Sequence, residues 1–137
     1  MQTFLPYPNF KKSAEVLDYR RLGKQRVEAL QILKAIQNEN YGWKSHPIVK
    51  MWKGFESALI EYKNTMIHEW ISRGYNNNMI LDAVSEPIVY PPWLGIKDFH
   101  ASHRSNLLKK DFEYYSQFNW KEKPGMDYIW FTSKDNK

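Results

Sequence analysis

Four cations fall within seven residues: Arg20, Arg21, Lys24 and Arg26, inside the stretch LDYRRLGKQRVE at 17–28. At 100° per residue, Arg20 and Lys24 share one face of a helix. Tyr19, Leu22, Ala29, Leu30, Leu33 and Ile36 form the opposite, apolar stripe, and Arg26 falls inside it. A charge on a buried face is costly unless it is paired. Arg26 therefore calls for a partner, a pocket or a ligand. Cations so grouped can grip phosphates and supply a salt-dependent affinity for nucleic acid. The plain alternative is a solvated helix face, with Lys24 and Glu28 as an i,i+4 pair. For Arg26 the plain alternative is a side chain that snorkels or meets a buried acid.

Two later groups extend the same chemistry. His46, Lys50 and Lys53 gather at the start of a second helical stretch, where a helix N-terminus attracts phosphate. Trp52, beside them, reads as core. His100, His103 and Arg104 form a further candidate phosphate patch, or equally a partly buried histidine with a helix cap. As a metal pair the two histidines lack a recognisable third ligand, so no metal is expected. The chain has no cysteine, which excludes disulfides and thiolate metal sites. No phosphate-binding glycine loop, nucleophile-elbow serine or dinucleotide fingerprint occurs, so kinase, hydrolase and dehydrogenase readings of those kinds have no support.

The elements that must position these residues follow from periodicity. Pro6-Tyr7-Pro8 predicts a stiff, extended N-terminal arm. Asn9 or Ser13 can cap a short helical turn through 14–17. A long helix is expected from about 18 to 37, with Gly23 weakening it or admitting another backbone. A loop follows at 38–43. Ser45-His46-Pro47 reads as the start of a second long helix running to about 73, with Trp52, Phe55, Leu59, Tyr62, Met66 and Trp70 inward and Gly74 as its stop. Residues 79–84 could be one short helix. Pro87, Pro91 and Pro92 enforce an extended passage, Asp98 caps a helix to about 110, and 111–118 is a further turn or short helix. The tail from 120 is irregular. The expected fold is all-α, one compact domain over 1–137, with two long packed helices, shorter peripheral helices and a proline-bearing extended segment.

Length, composition and charge agree. The 137 residues suit one domain with a real core, and 42% hydrophobic content argues against disorder. Six Trp, nine Tyr and seven Phe exceed what a core needs, and base stacking uses such a surplus. The net charge of +5 is not evenly spread. Residues 1–50 carry nine lysines and arginines against four acids, and residues 51–137 carry eleven of each. A one-sided field of this kind suits a polyanion. No apolar run approaches the ~18 residues of a membrane helix, and Met1 to Pro6 lacks the basic and apolar regions of a signal peptide. The expectation is a monomeric intracellular protein, in the cytoplasm or nucleoid, or in the host cell if viral.

In the order and spacing of its segments the chain resembles the small phage- and virus-type pyrimidine-dimer DNA glycosylases, the endonuclease V kind. Lys24-Gln25-Arg26-Val27 falls where that family carries its active-site helix motif, an acid directly after an arginine. The segment from His46-Pro47 through Lys53-Gly54 to Ser72-Arg73-Gly74-Tyr75 is similar to the family's second long helix and its Arg-Gly-aromatic exit. The aromatic, lysine-bearing tail is also similar. The resemblance implies a cofactor-free enzyme acting on double-stranded DNA through its N-terminal amine, which forms a Schiff base at the sugar C1′ before β-elimination cuts the strand. An α-amine has an ordinary pKa of ~7.7–8.0, so a usable fraction is neutral near pH 7. The duplex must be kinked and a base extruded, at a few kcal/mol.

Two positions depart from the family pattern. Residue 2 is Gln2, where the family has a small residue exposed by loss of Met1. The amine then belongs to Met1, or to Gln2 after processing. Val27 stands where the catalytic glutamate belongs, and Glu28 is one step on, 200° around the helix from Arg26. Lys24 or Glu15 could instead supply the amine or the acid. The candidate catalytic set is Met1, Gln2, Arg26 and Glu28. The candidate DNA-binding set is Arg20, Arg21, Lys24, His46, Lys50, Lys53, His100, His103 and Arg104. The leading expectation is a DNA glycosylase with AP-lyase activity on damaged or modified bases. The alternatives are a non-catalytic DNA- or RNA-binding module and a protein-interaction domain using its aromatic surface.

Overall fold

The computed structural model describes residues 1–38, 40, 42 and 44–131, and among them it contains helices and no strand. The chain runs through α1 (Phe10–Val16), α2 (Tyr19–Gln37), α3 (Pro47–Trp52), α4 (Glu56–Ser72), α5 (Lys97–Lys110) and α6 (Phe112–Tyr115), with a 3-10 turn at Ser116–Phe118. The all-α expectation is met. Parts of the expected loop at 38–43 and of the tail lie outside the described residues.

Helices α2 and α4 form the central pair, α1 packs on α4, and α3 on α2. Asn9 caps α1 by accepting from the Lys12 N–H. Asp18 caps α2 through the Arg21 N–H, so the chain turns sharply between the two helices. Leu22, Ala29 and Ile32 of α2 meet Leu59, Tyr62 and Met66 of α4 in a core that also holds Trp52, Trp93 and Phe99. Tyr19, expected in this stripe, is instead half exposed.

The second long helix is two helices. Gly54 adopts φ +92°, a left-handed conformation that breaks the pattern between Trp52 and Glu56. The Glu56 carboxylate accepts the Gly54 N–H and stabilises the break. Residues 79–84 form no helix. Side chains of α4 take their backbone groups: Lys63 donates to the Ile80 carbonyl, and Asn64 pairs with both backbone groups of Asp82. Ile96, and not Asp98, is the cap position of α5.

The N-terminal arm is the unusual part. Residues 2–6 are buried, yet belong to no helix or sheet. Backbone groups in such a position need partners, and side chains supply them. The Phe4 N–H donates to the Gln25 carbonyl oxygen at 2.8 Å. The Leu5 N–H donates to His103 Nδ1 at 2.9 Å. His100 Nε2 accepts from the Gly95 N–H, so its proton sits on Nδ1, which donates to the Leu5 carbonyl at 2.7 Å. The Tyr62 hydroxyl lies between the Phe4 carbonyl and Gln25, and Arg104 donates to the Pro6 carbonyl.

This corrects the reading of His100, His103 and Arg104 as a DNA-binding patch. Both histidines are buried and grip the arm. Arg104 also donates to Glu122 from Nε and Nη2, at 2.9 and 3.0 Å.

Burial holds His103 neutral, with its pKa lowered from 6.5 to about 3, and the neighbouring His100 adds to the shift. The unfolded chain then binds one more proton between those values. Stability contributed by this group is present above pH ~6.5 and falls as pH drops toward 3. His103→Gln keeps an acceptor for Leu5 and should flatten the acid loss by up to about 1.4 kcal/mol per pH unit. Urea unfolding of both proteins from pH 7 to 4 measures this, and parallel acid slopes would refute it.

Candidate functional site: a cationic cleft around the N-terminus

Helix α2 builds the site through its spacing. Arg20, Lys24 and Glu28 recur at four-residue steps and line one wall of a cleft of about 720 Å³. Met1, Gln2 and Phe4 of the arm form the adjoining wall. Arg21, Gln25, Tyr19 and Gly23 complete the α2 side. Trp70, Lys110 and Tyr128 close the cleft from α4, α5 and the chain beyond α6.

Glu28 is the acid at the centre of this arrangement. Its Oε2 accepts the Gln2 backbone N–H at 3.0 Å and lies 3.4 Å from Gln25 Nε2. The carboxylate thus sits against the first peptide of the chain rather than in an i,i+4 pair with Lys24. Gln25 joins the parts: its carbonyl oxygen receives the Phe4 N–H and faces Tyr62, while its amide reaches Glu28. Val27 is exposed and does not line the cleft.

The surrounding charge is positive. Arg20 and Lys24 are exposed, and Lys110 adds a cation from the end of α5. Arg21 is partly neutralised by Asp18 at 3.2 Å. Burial opposes a charged Asp18, yet the Tyr115 hydroxyl and Arg21 hold it below the usual carboxylate range. His46 caps α3 with Nδ1 and is half-buried. Burial lowers its pKa, the positive N-terminus lowers it further, and Glu28 opposes both. His46, the chain start and Glu28 therefore lie within one electrostatic neighbourhood. Burial also pushes the Tyr128 hydroxyl up to about 12.

Of the sequence-derived candidates, the structure brings together Met1, Gln2, Arg20, Arg21, Lys24 and Glu28, with His46 close by. Lys50 on α3 and Lys53 just after it are exposed and line no part of this cleft; Lys53 borders a smaller hollow with Lys44 and Val49. Arg26 is directed elsewhere. Its guanidinium stacks 4.1 Å over the Trp70 ring and donates to Asn77 at 2.8 Å. It lies at the α2–α4 seam, answering the expected need for a partner with an aromatic face and an amide instead of an acid.

Residues 1–83 match the family model for pyrimidine dimer DNA glycosylases. The chain belongs to that family. No curated protein and no solved structure matches it. The matched region contains the arm and helices α1 to α4, hence every cleft residue named above except Lys110 and Tyr128. For a DNA glycosylase the substrate is DNA, and Arg20, Arg21 and Lys24 of α2 line the cleft. Among the described residues no group of three His, Cys, Asp or Glu could hold a metal.

Replacing Arg20 and Lys24 together by alanine should weaken duplex binding regardless of sequence. It should also reduce the slope of log K against log salt by about two. Anisotropy titrations between 50 and 200 mM salt test this, and an unaltered slope would mean that phosphates do not run along this wall.

Proposed function

We propose that this protein is a DNA glycosylase with AP-lyase activity, and that its N-terminal amine is the nucleophile and Glu28 the acid–base partner. One observation carries the reading: the first peptide nitrogen lies 3.0 Å from the Glu28 carboxylate, in a cleft whose other charged groups are mostly cations. The family membership supports the glycosylase step. Geometry supports the choice of Glu28 over a neighbour, because Val27 is turned to solvent.

The chemistry balances with these groups alone. The neutral amine attacks C1′ of an extruded nucleotide, the C1′–N bond breaks, and the base leaves with that electron pair and takes up a proton. Glu28 accepts a proton from the amine nitrogen and returns it to O4′ as the sugar opens to a protonated imine, which leaves the carboxylate free to take a C2′ proton. Removal of a C2′ proton then expels the 3′ phosphate by breaking the C3′–O bond. Water hydrolyses the imine and restores the amine. Arg20 and Lys24 hold the strand so that C1′ stays in reach, the positional part of the rate enhancement. The nucleophile is the Met1 amine, or the Gln2 amine once Met1 is removed. An intracellular setting, where DNA is found, fits this reading.

Borohydride reduction on an abasic duplex should give a covalent adduct, and mass spectrometry should locate it on residue 1 or 2. Acetylating the N-terminus should abolish the adduct. Glu28→Gln should slow base release by about 10²- to 10⁴-fold, the range for a lost general acid–base group, without weakening duplex binding. A free N-terminus that gives no adduct would sink the Schiff base, and a duplex whose bases all stay intact in single-turnover incubation would leave a DNA-binding module.

A further inference from the structure

Two donors converge on one oxygen of Glu28. The Gln2 backbone N–H and the Gln25 amide nitrogen both face its Oε2, at 3.0 and 3.4 Å. Among the described residues, no hydrogen bond is made to the other carboxylate oxygen, Oε1. The carboxylate is thus anchored on one side, and its second oxygen is left to the cleft that Glu28 lines.

The direction of the Gln25 amide is set by the arm. Gln25 is buried, and the Phe4 N–H, 2.8 Å away, can only donate. The Gln25 atom facing it is therefore the carbonyl oxygen, and the nitrogen is turned toward Glu28. The Tyr62 hydroxyl brings a second donor to the same carbonyl oxygen, at 2.6 Å. Burial, helped by the charge of Glu28, raises the Tyr62 pKa well above its ordinary value, so that donor keeps its proton. A flipped amide would set N–H against N–H and leave a buried donor unpaired. Yet the arm asks only for an acceptor at position 25, which a glutamate would also supply. What glutamine adds is a donor aimed at Glu28.

We propose that Gln25 is a positioning residue for the reaction: its amide anchors Glu28 Oε2, so that Oε1 is the oxygen that exchanges protons with the amine and the sugar. The inference rests on the role proposed for Glu28. The charged and titratable groups about this pair are Arg20, Arg21 and Lys24 of α2, the chain start, His46 at the head of α3, Tyr62 of α4, Lys110 of α5 and Tyr128. All of them stay in place in the variants below, so a changed response to pH belongs to position 25 or 28.

The test follows single-turnover cleavage of the glycosidic bond, at saturating protein, in a duplex carrying one cyclobutane pyrimidine dimer, from pH 6 to 8. Gln25→Glu keeps acceptors for Phe4 and Tyr62 but, when ionised, cannot donate to Glu28. It should slow cleavage about 10²-fold at pH 8, the scale of a misplaced reacting group. The loss should shrink toward pH 6, as the two carboxylates take up a shared proton and the donor returns. With Glu28→Gln already in place, the same substitution should cost less than about 2-fold, because the group it acts through is gone. Gln25→Met adds no charge and serves if circular dichroism shows Gln25→Glu unfolded; its loss should likewise vanish beside Glu28→Gln. Equal losses in the two backgrounds would make Gln25 a purely structural residue and overturn the inference, as would a Gln25→Glu loss that is the same at every pH. Borohydride trapping by the wild-type protein is scored separately. No adduct there removes the reading of the site itself, whereas a reactive wild type with additive variants removes the anchor alone.

Discussion

A buried peptide group that belongs to no helix or sheet must find a partner, and the N-terminal arm presents several of them in succession. This constraint organises the molecule. Gln25 on α2, Tyr62 on α4 and His100, His103 and Arg104 on α5 each reach inward to a backbone group of residues 4–6. Trp52 of α3 adds a bond to the Thr3 hydroxyl. Four helices are thus tied to one extended strand of chain. Leaving any one of these buried groups unsatisfied costs about 1–3 kcal/mol, so the helices and the arm specify each other's positions. The chain start is consequently fixed in space, whereas most termini fray.

That arrangement explains why the carboxylate beside the first peptide is Glu28. Once Gln25 holds the Phe4 N–H, the arm runs along α2, and the residue one turn further on meets the Gln2 N–H. Gln25 and Glu28 are three apart, hence neighbours on the helix surface. A glutamate at 27 would point to solvent. The position of the Glu28 carboxylate and the path of the arm are therefore linked by one hydrogen-bond chain through Gln25.

Much of this was legible in the sequence, for reasons that also mark where legibility ends. The span of α2 followed from apolar spacing, and the gathering of charge into the first third was simple counting, whereas Asp18 as the cap of α2 emerged only from the structure. The choice between Arg26 and Gln25 was not legible. Both fall between Leu22 and Ala29, at offsets of four and three, and periodicity treats them alike. The structure buries Gln25 because the arm offers it a donor, and leaves Arg26 at the seam with Trp70. Spacing likewise left His100 and His103 open between a phosphate patch and burial, and the structure buries them. Their partners lie 95 and 98 residues away, and no local pattern encodes a contact at that separation. Gly54 was visible as a glycine, but only its left-handed conformation turns one long helix into two.

The cations divide along the same line. Arg104 and Arg26 are spent on carbonyl, carboxylate, amide or ring partners within the fold, and Arg21 is half spent on Asp18. Arg20 and Lys24, on the same helix, are left to solvent at the cleft. A net charge counted from the sequence cannot separate these roles. The separation comes from α2 facing three environments at once: the core through Leu22 and Ala29, the arm through Gln25 and Glu28, and the open cleft through Arg20 and Lys24. One helix thereby holds the chain start against an acid and sets both beside a track of positive charge.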